Sequence, residues 1–209
     1  MEKLLYIESS PRKAISHLIK IAGVFLSTYK AHHPGAVLDT LNLWEETLPA
    51  VNRATAAAKY AVMNGVPHRN AQAAAWDKIK TVFNRFEAAD KVLFSVPMWS
   101  FSIPYVLKHY IDIITQPELA FRYSPATGYS GLVTGKPAIV VYSSAGDYRD
   151  GNGAQALDYQ KPYLENWLRF IGFTDIHAIT VAPTHGKCEI VLRAIETATR
   201  QAVDLARGI

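Results

Sequence analysis

The sequence predicts an α/β fold: a three-layer, doubly wound sheet of five parallel strands in the order 2-1-3-4-5. Short apolar runs of strand length alternate with helical patterns from end to end, the pattern of successive βαβ units. Right-handed crossovers put helices on both faces of such a sheet, and five strands then fit that order. The first and third strands become neighbours at the switch point, so the loops that follow them line one crevice.

Each element has its own signal. Lys3–Glu8 is a nearly unbroken apolar run, as a strand covered on both faces requires. A helical pattern over Ser16–Ala31 follows, then a second strand, Ala36–Asn42. Two helices, Ala50–Asn64 and Asn70–Ala89, lead to Asp90, which ends the helical region before the third strand, Lys91–Val96. Pro104 opens a helix that runs to Ile114, its fixed φ suiting a first turn. The fourth strand is Ala138–Ser143. Ala156–Phe170 is helical and stops at Gly172. Asp175–Val181 is the fifth strand, and Lys187–Arg207 the last helix. Thr115–Lys136 is the longest loop-like segment and holds Phe121, Tyr123 and Tyr129. Loops of that length in compact domains are often functional, as a lid or an interface hairpin.

Composition narrows the function classes. The 209 residues suit one domain, 1–209, able to bury a full core. At 49% hydrophobic and 19% charged the chain is too apolar for disorder. The lone Cys188 excludes an intramolecular disulfide and an all-cysteine metal site, and suits a reducing compartment. The apolar run at the start is too short for a signal peptide and no run reaches the length of a membrane span, so the expectation is a cytoplasmic protein with no membrane partner. The formal charge is +4, yet the 22 Lys and Arg are scattered, whereas nucleic-acid binders gather them on one element. No nucleic acid is expected. His32-His33 sits in a polar turn, and His177, His185 and Cys188 lack ligand spacing, so no metal is expected. A Ser143–His185–Asp147 hydrolase lacks the Gly-x-Ser-x-Gly elbow.

Three strand-end loops can carry chemistry. After the first strand, Glu8-Ser9-Ser10-Pro11-Arg12 and Ser16-His17-Leu18 place hydroxyls just before a helix whose free N–H groups and dipole favour a phosphate. It is neither a Walker loop nor a dinucleotide fingerprint, and Ser16 reads equally as an ordinary N-cap. After the third strand, Pro97-Met98-Trp99-Ser100-Phe101-Ser102-Ile103-Pro104 is a stiff aromatic loop that offers a flat ring a packing surface and free backbone N–H groups. Met98, Trp99 and Phe101 read equally as core or dimer-interface residues. After the fourth, Ser143-Ser144-Ala145-Gly146 lets backbone approach a ligand closely, or makes a plain turn of small residues. All three loops lie on one edge, suited to one ligand with a phosphate and a flat ring.

At these loops the chain resembles the FMN-dependent azoreductase and NADH:quinone oxidoreductase family of flavodoxin-like proteins. The match continues through Leu107-Lys108, Ile111-Asp112, Phe121-Arg122-Tyr123, Gly131-Leu132-Val133, Gly135-Lys136, Pro162-Tyr163-Leu164 and Phe170-Ile171-Gly172-Phe173-Thr174-Asp175. The resemblance implies one FMN per subunit: Ser10, Ser16 and His17 at the phosphate, Met98, Trp99, Ser100 and Phe101 at the isoalloxazine, and Ser143, Ser144, Ala145 and Gly146 at its pyrimidine side. It implies a homodimer with sites at the subunit interface, Tyr123 near the substrate and Trp167 reaching the partner's flavin. Two departures stand out. Leu18 takes the place of a phosphate-binding Ser, and Ala145 that of a Gly. The implied reaction carries two electrons by a ping-pong mechanism from NADH or NADPH to quinones and azo compounds. It requires no catalytic side chain, because the flavin does the chemistry. Two other classes fit the fold. A flavodoxin-type electron carrier is usually shorter and acidic, and a cofactor-free binding protein draws support only from Leu18 and Ala145.

Overall fold

The computed structural model describes residues 1–149, 151 and 153–209. Five parallel strands form the central sheet: β1 (Lys3–Glu8), β2 (Val37–Asn42), β3 (Lys91–Pro97), β6 (Ala138–Ser143) and β7 (Ile176–Val181). Their order is β2-β1-β3-β6-β7, which is the expected 2-1-3-4-5 once a separate hairpin is set aside. That hairpin, β4 (Phe121–Ser124) with β5 (Gly128–Gly131), is antiparallel and occupies the long segment before β6.

Side-chain alternation on the strands divides the core in two. Leu5 and Ile7 of β1 face α2 (Arg53–Met63), α3 (Asn70–Glu87), α4 (Tyr105–Ile114) and α5 (Lys161–Ile171). Leu4 and Tyr6 face α1 (His17–His32) and α6 (Cys188–Gly208). Both edges of the sheet are outer strands with polar residues, while β1, β3 and β6 are buried on both faces. That burial explains their continuous apolar runs.

Two helix starts differ from the sequence pattern, each for a capping reason. Helix α2 begins at Arg53 because the Asn52 side chain accepts the N–H groups of Ala54 and Thr55, at 2.9 and 3.2 Å. Helix α5 begins at Lys161 because Asp158 accepts the N–H groups of Gln160 and Lys161, after a separate 3-10 turn at Gln155–Leu157. At its other end, Gly172 adopts φ +119° as the expected helix stop.

The outer strand β2 is tied down by charge. Asp39 accepts the Arg85 guanidinium at 2.7 Å and pairs with Lys3 at 2.9 Å. Arg85 first, with Lys3 behind it, lowers the Asp39 carboxyl to about 2. A carboxyl depressed in the folded state stabilises the fold above its unfolded pKa, and that stabilisation is lost as pH falls through the folded one. Asp39→Asn should therefore cost about 1 kcal/mol at pH 7, after allowance for solvent screening. It should also flatten urea midpoints between about pH 4 and 2. Equal acid limbs in both proteins would contradict this assignment.

Candidate functional site

Parallel strands bring β1, β3 and β6 to a common carboxyl edge, and the chain departs from that edge by three loops. Ser9 and Ser10 are buried at the β1 end. Ser9 locks to β3, its N–H and hydroxyl both donating to Ser95 O at 3.2 and 2.6 Å. Ser10 Oγ accepts the Arg12 N–H at 3.4 Å. A 3-10 turn over Lys13–Ile15 then leads to Ser16, the N-cap of α1.

Ser16 makes no capping hydrogen bond although it is buried. The first bonded amide of α1 is that of Lys20, which donates to Ser16 O at 3.1 Å. The N–H groups of His17, Leu18 and Ile19 therefore lack intrahelical acceptors. Together with the idle Ser16 hydroxyl they make a seat suited to an anion at the positive end of the helix. The Leu18 side chain is only 1% exposed and packs with Ile21, Ala22 and Phe25. Of Leu18 only the backbone can serve the seat.

The β3 loop is a tight, pre-shaped turn. Trp99 and Ser102 exchange hydrogen bonds at 2.8 and 2.9 Å, and Ser100 and Phe101 between them both have positive φ, 47° and 68°. Such backbone costs about 1–2 kcal/mol per non-glycine residue, so its surroundings must hold it. They do: the Tyr159 N–H donates to Phe101 O at 2.9 Å. Met98 donates its N–H to Ser143 O and Trp99 its own to Ser102 O, so these two amides are already used. Among the described residues, the N–H groups of Ser100 and Phe101, at the tip of this turn, have no partner. Trp99 and Phe101 are 39% and 44% exposed, a surface and not a core.

The β6 loop presents the opposite wall. Ser143 is half-buried in the ladder beside Val181. Ser144 is buried, its hydroxyl donating to Gly146 O at 2.7 Å and its carbonyl accepting from Thr184. The N–H groups of Ala145 and Gly146 have no partner among the described residues. A Cβ on Gly146 would come within 3.3 Å of the Tyr148 ring, so glycine leaves that ring its place.

Two further aromatic residues that the resemblance assigns to the site lie away from this crevice. Trp167 is 7% exposed, packs against Phe86 and Phe94, and donates its indole N–H to Thr115 Oγ1 at 2.8 Å. It is a core residue of its own subunit, because Leu164, Trp167, Leu168 and Ile171 form the buried stripe of α5. Tyr123 is exposed, but it lies on the hairpin that follows the end of α4 and precedes the start of β6. That is the amino edge of the sheet, opposite the crevice of the same chain. Conversely, Trp44 belongs to the site without having been singled out by its sequence pattern. Its indole donates to Ser9 O at 3.0 Å and its ring lies 5.5 Å from both Trp99 and Tyr105. The usable signal was its place just after β2, whose end borders the same crevice.

Glu8 ends β1 on the face covered by α1. It is buried, its Oε1 has no hydrogen-bond donor, and Lys13 Nζ stays 4.0 Å away. Burial, offset in part by Lys13 and Tyr6, raises its pKa. For an acid raised in the folded state, stability is full below the unfolded pKa and falls as pH rises through the folded one. Glu8→Gln should raise the urea midpoint at pH 7.5 and leave it nearly unchanged at pH 4. A loss of stability at pH 7.5 would show the carboxylate to be satisfied.

Together the doubly wound sheet and the three-loop seat define a flavodoxin-like protein, and a family model described as flavodoxin-like fold matches residues 2–205. An FMN-dependent NADH:quinone oxidoreductase of Desulfotalea psychrophila is 46% identical over 209 residues, covering 100% of this chain and 98% of that protein. The chain belongs to this family of flavodoxin-like oxidoreductases. The crystal structure of an azoreductase from Bacillus anthracis superposes with a TM-score of 0.91 at 26% identity, each chain fully covered. An FMN-dependent NADH-azoreductase from Bacillus anthracis, crystallised with FMN, shares the fold. Its TM-score is 0.84 at 24% identity, over 99% of this chain and 100% of that one.

Proposed function

We propose that this chain is an FMN-dependent oxidoreductase that carries two electrons from NADH or NADPH to quinones and aromatic azo compounds. One observation supports the reading above all others. Uncommitted donors converge on a single sheet edge, in the α1 first turn, at Ser100 and Phe101, and at Ala145 and Gly146. Exposed aromatic rings stand between them.

The residues present fit FMN. The α1 seat offers three amides and the Ser16 hydroxyl to a phosphate, with Ser10 and His17 beside it. Trp99 and Phe101 offer faces to a planar ring, and the four loop amides suit its polar edge. Those amides are hydrogen-bond donors fixed before any charge appears, so they would favour the anionic reduced form without reorganising. When bound, FMN supplies the redox chemistry, taking a hydride from the nicotinamide and passing the electron pair to the acceptor in ping-pong order. The protein's part is to bind, orient and exclude water. No side chain is needed as acid, base or nucleophile.

The reading extends to a homodimer of single-domain, cytoplasmic subunits. The hairpin exposes Tyr123 and Tyr129, their rings tilted against each other at 5.0 Å, next to Phe170, and this apolar face lies at the far edge from the crevice. Tyr123 can serve a flavin only in a partner subunit, so a site that uses it must lie between two subunits. No helix among the described residues is long and apolar enough to cross a membrane.

The test is direct. Protein reconstituted with FMN should be yellow, bleach anaerobically with NADH or NADPH, and recolour on addition of a quinone or an azo dye. Yellow protein that neither nucleotide bleaches would overturn the enzyme reading. Protein that takes up no FMN would overturn the cofactor.

A further inference from the structure

A cleft of about 480 Å³ adjoins the proposed flavin seat. It starts at Met98 and Ser144, on the far side of those residues from α1. From there it runs under Tyr148 between the first turns of α5 and the end of β7. A second cleft of about 260 Å³ continues past the β7 end to α6. Arg149, Thr180 and Ala182 line both, so the two meet at Arg149.

Its chemistry is specific. On the wall of the first cleft is Tyr142, 2% exposed, whose hydroxyl has no hydrogen-bond partner. A buried hydroxyl without a partner is rare in a folded protein and marks a place where a ligand atom or water completes the bond. Burial holds that phenol well above its ordinary pKa, so it remains a donor. Lys161, Arg149 and Arg169 surround the first cleft and Arg193 lines the second. The carboxylates that line the clefts are already committed. Asp158 caps the start of α5, while Glu165 holds Arg169 at 3.0 Å and Lys161 at 4.0 Å. Arg149 is braced within its own loop by Asp147 at 2.8 Å. Arg193 has no carboxylate partner among the described residues.

We propose that these joined clefts bind the ADP arm of the pyridine nucleotide, its phosphates held by Arg149, Lys161 and Arg193 and its polar groups reaching the Tyr142 hydroxyl. This rests on the reading of the chain as a pyridine-nucleotide-dependent flavoenzyme and adds where the donor is gripped. A nucleotide with its nicotinamide over the flavin must lay a polyanionic arm somewhere beyond the ring. The clefts begin beside the ring seat and end at Arg193, a cation with no carboxylate partner among the described residues. No glycine-rich fingerprint is needed, because side-chain cations replace the helix-and-loop cradle that such a motif provides.

The experiment uses FMN-loaded protein and two readouts. Calorimetric titration with ADP reads the cleft without any turnover. Kinetics with NADH, and with a reduced nicotinamide lacking the ADP arm, read its use. Native protein should bind ADP, and ADP should compete with NADH. In Lys161→Glu and Arg193→Glu, both at the surface, ADP affinity should fall about tenfold. The ratio of kcat/KM for NADH to that for the truncated donor should fall by a similar factor. Tyr142→Phe should weaken ADP without changing the salt dependence of its binding. Absence of ADP binding to native protein, or an unchanged donor ratio in both charge variants, overturns the proposal. Failure of both donors to bleach the flavin would instead overturn the oxidoreductase reading, since the calorimetric result does not depend on it.

Discussion

Gly131→Ala should cost more than about 4 kcal/mol, an effect few single substitutions reach. A Cβ at Gly131 would overlap the backbone of Ile171 and Gly172, namely Gly172 N and Cα and Ile171 C. Flexible side chains can yield to a methyl group, but a helix terminus cannot. Gly172 has no freedom to retreat. Its own Cβ direction meets Val133 O at 2.8 Å, and the Val133 N–H donates to Ile171 O at 2.8 Å. Hairpin and helix end are thus pressed together backbone to backbone. Relieving the overlap moves β5 off α5, breaks that hydrogen bond, and parts the Phe121 and Tyr129 rings from Phe170, now 5.0 and 5.6 Å away. Gly128→Ala is the control. Gly128 has φ +74° but open space around it, so only the left-handed backbone is penalised, by about 1–2 kcal/mol. Urea unfolding of the two variants should differ accordingly. Equal losses would show that close approach at Gly131 does not matter. Sedimentation of Gly131→Ala should also show monomer, since the displaced hairpin is the proposed dimer surface.

How much of this was legible in the sequence depends on the kind of physics involved. Strands β1 and β6 were readable to the residue, because burial on both faces writes an unbroken apolar run. The strands of the hairpin were not, since each is only four residues long and β5 has glycine at both ends, Gly128 and Gly131. Its strands are defined by pairing and by packing on Gly172, neither of which has a local signature. The start of α5 was misplaced because Asp158 acts as a cap only once the chain has turned. The core role of Trp167 was readable: positions 164, 167, 168 and 171 have the i, i+3, i+4, i+7 spacing of a buried helix face. The family resemblance directs Trp167 toward a partner's flavin, whereas its burial within its own chain follows the periodicity. In the site, residue types announced a phosphate and a ring, but not which amides remain free. That depends on hydrogen bonds such as Met98 N–H to Ser143 O, which exist only between strands distant in sequence.

Ser16→Asp should move stability and cofactor binding in opposite directions. The Ser16 hydroxyl caps nothing, so its replacement breaks no hydrogen bond of the protein. An aspartate there can accept a first-turn N–H and places a negative charge at the positive end of α1. The apoprotein should therefore gain about 0.5–1 kcal/mol, read as a higher urea midpoint. The same charge stands where the phosphate of FMN is proposed to sit. Two charges about 4 Å apart near a protein surface repel by about 4 kcal/mol for each unit pair, before screening and rearrangement reduce it. FMN affinity should fall on the order of 100-fold, about 3 kcal/mol. Riboflavin carries no phosphate, and its affinity should change little, so the ratio of the two isolates the seat from any general damage. Ser16→Ala separates hydroxyl from charge, losing one donor to the phosphate for about 1 kcal/mol, or roughly fivefold, with no gain in stability. Fluorescence titration of the apoproteins with both flavins measures all of this. If Ser16→Asp bound FMN as tightly as the native chain, the phosphate would have to lie elsewhere than at the start of α1. The uncapped helix would then need another occupant.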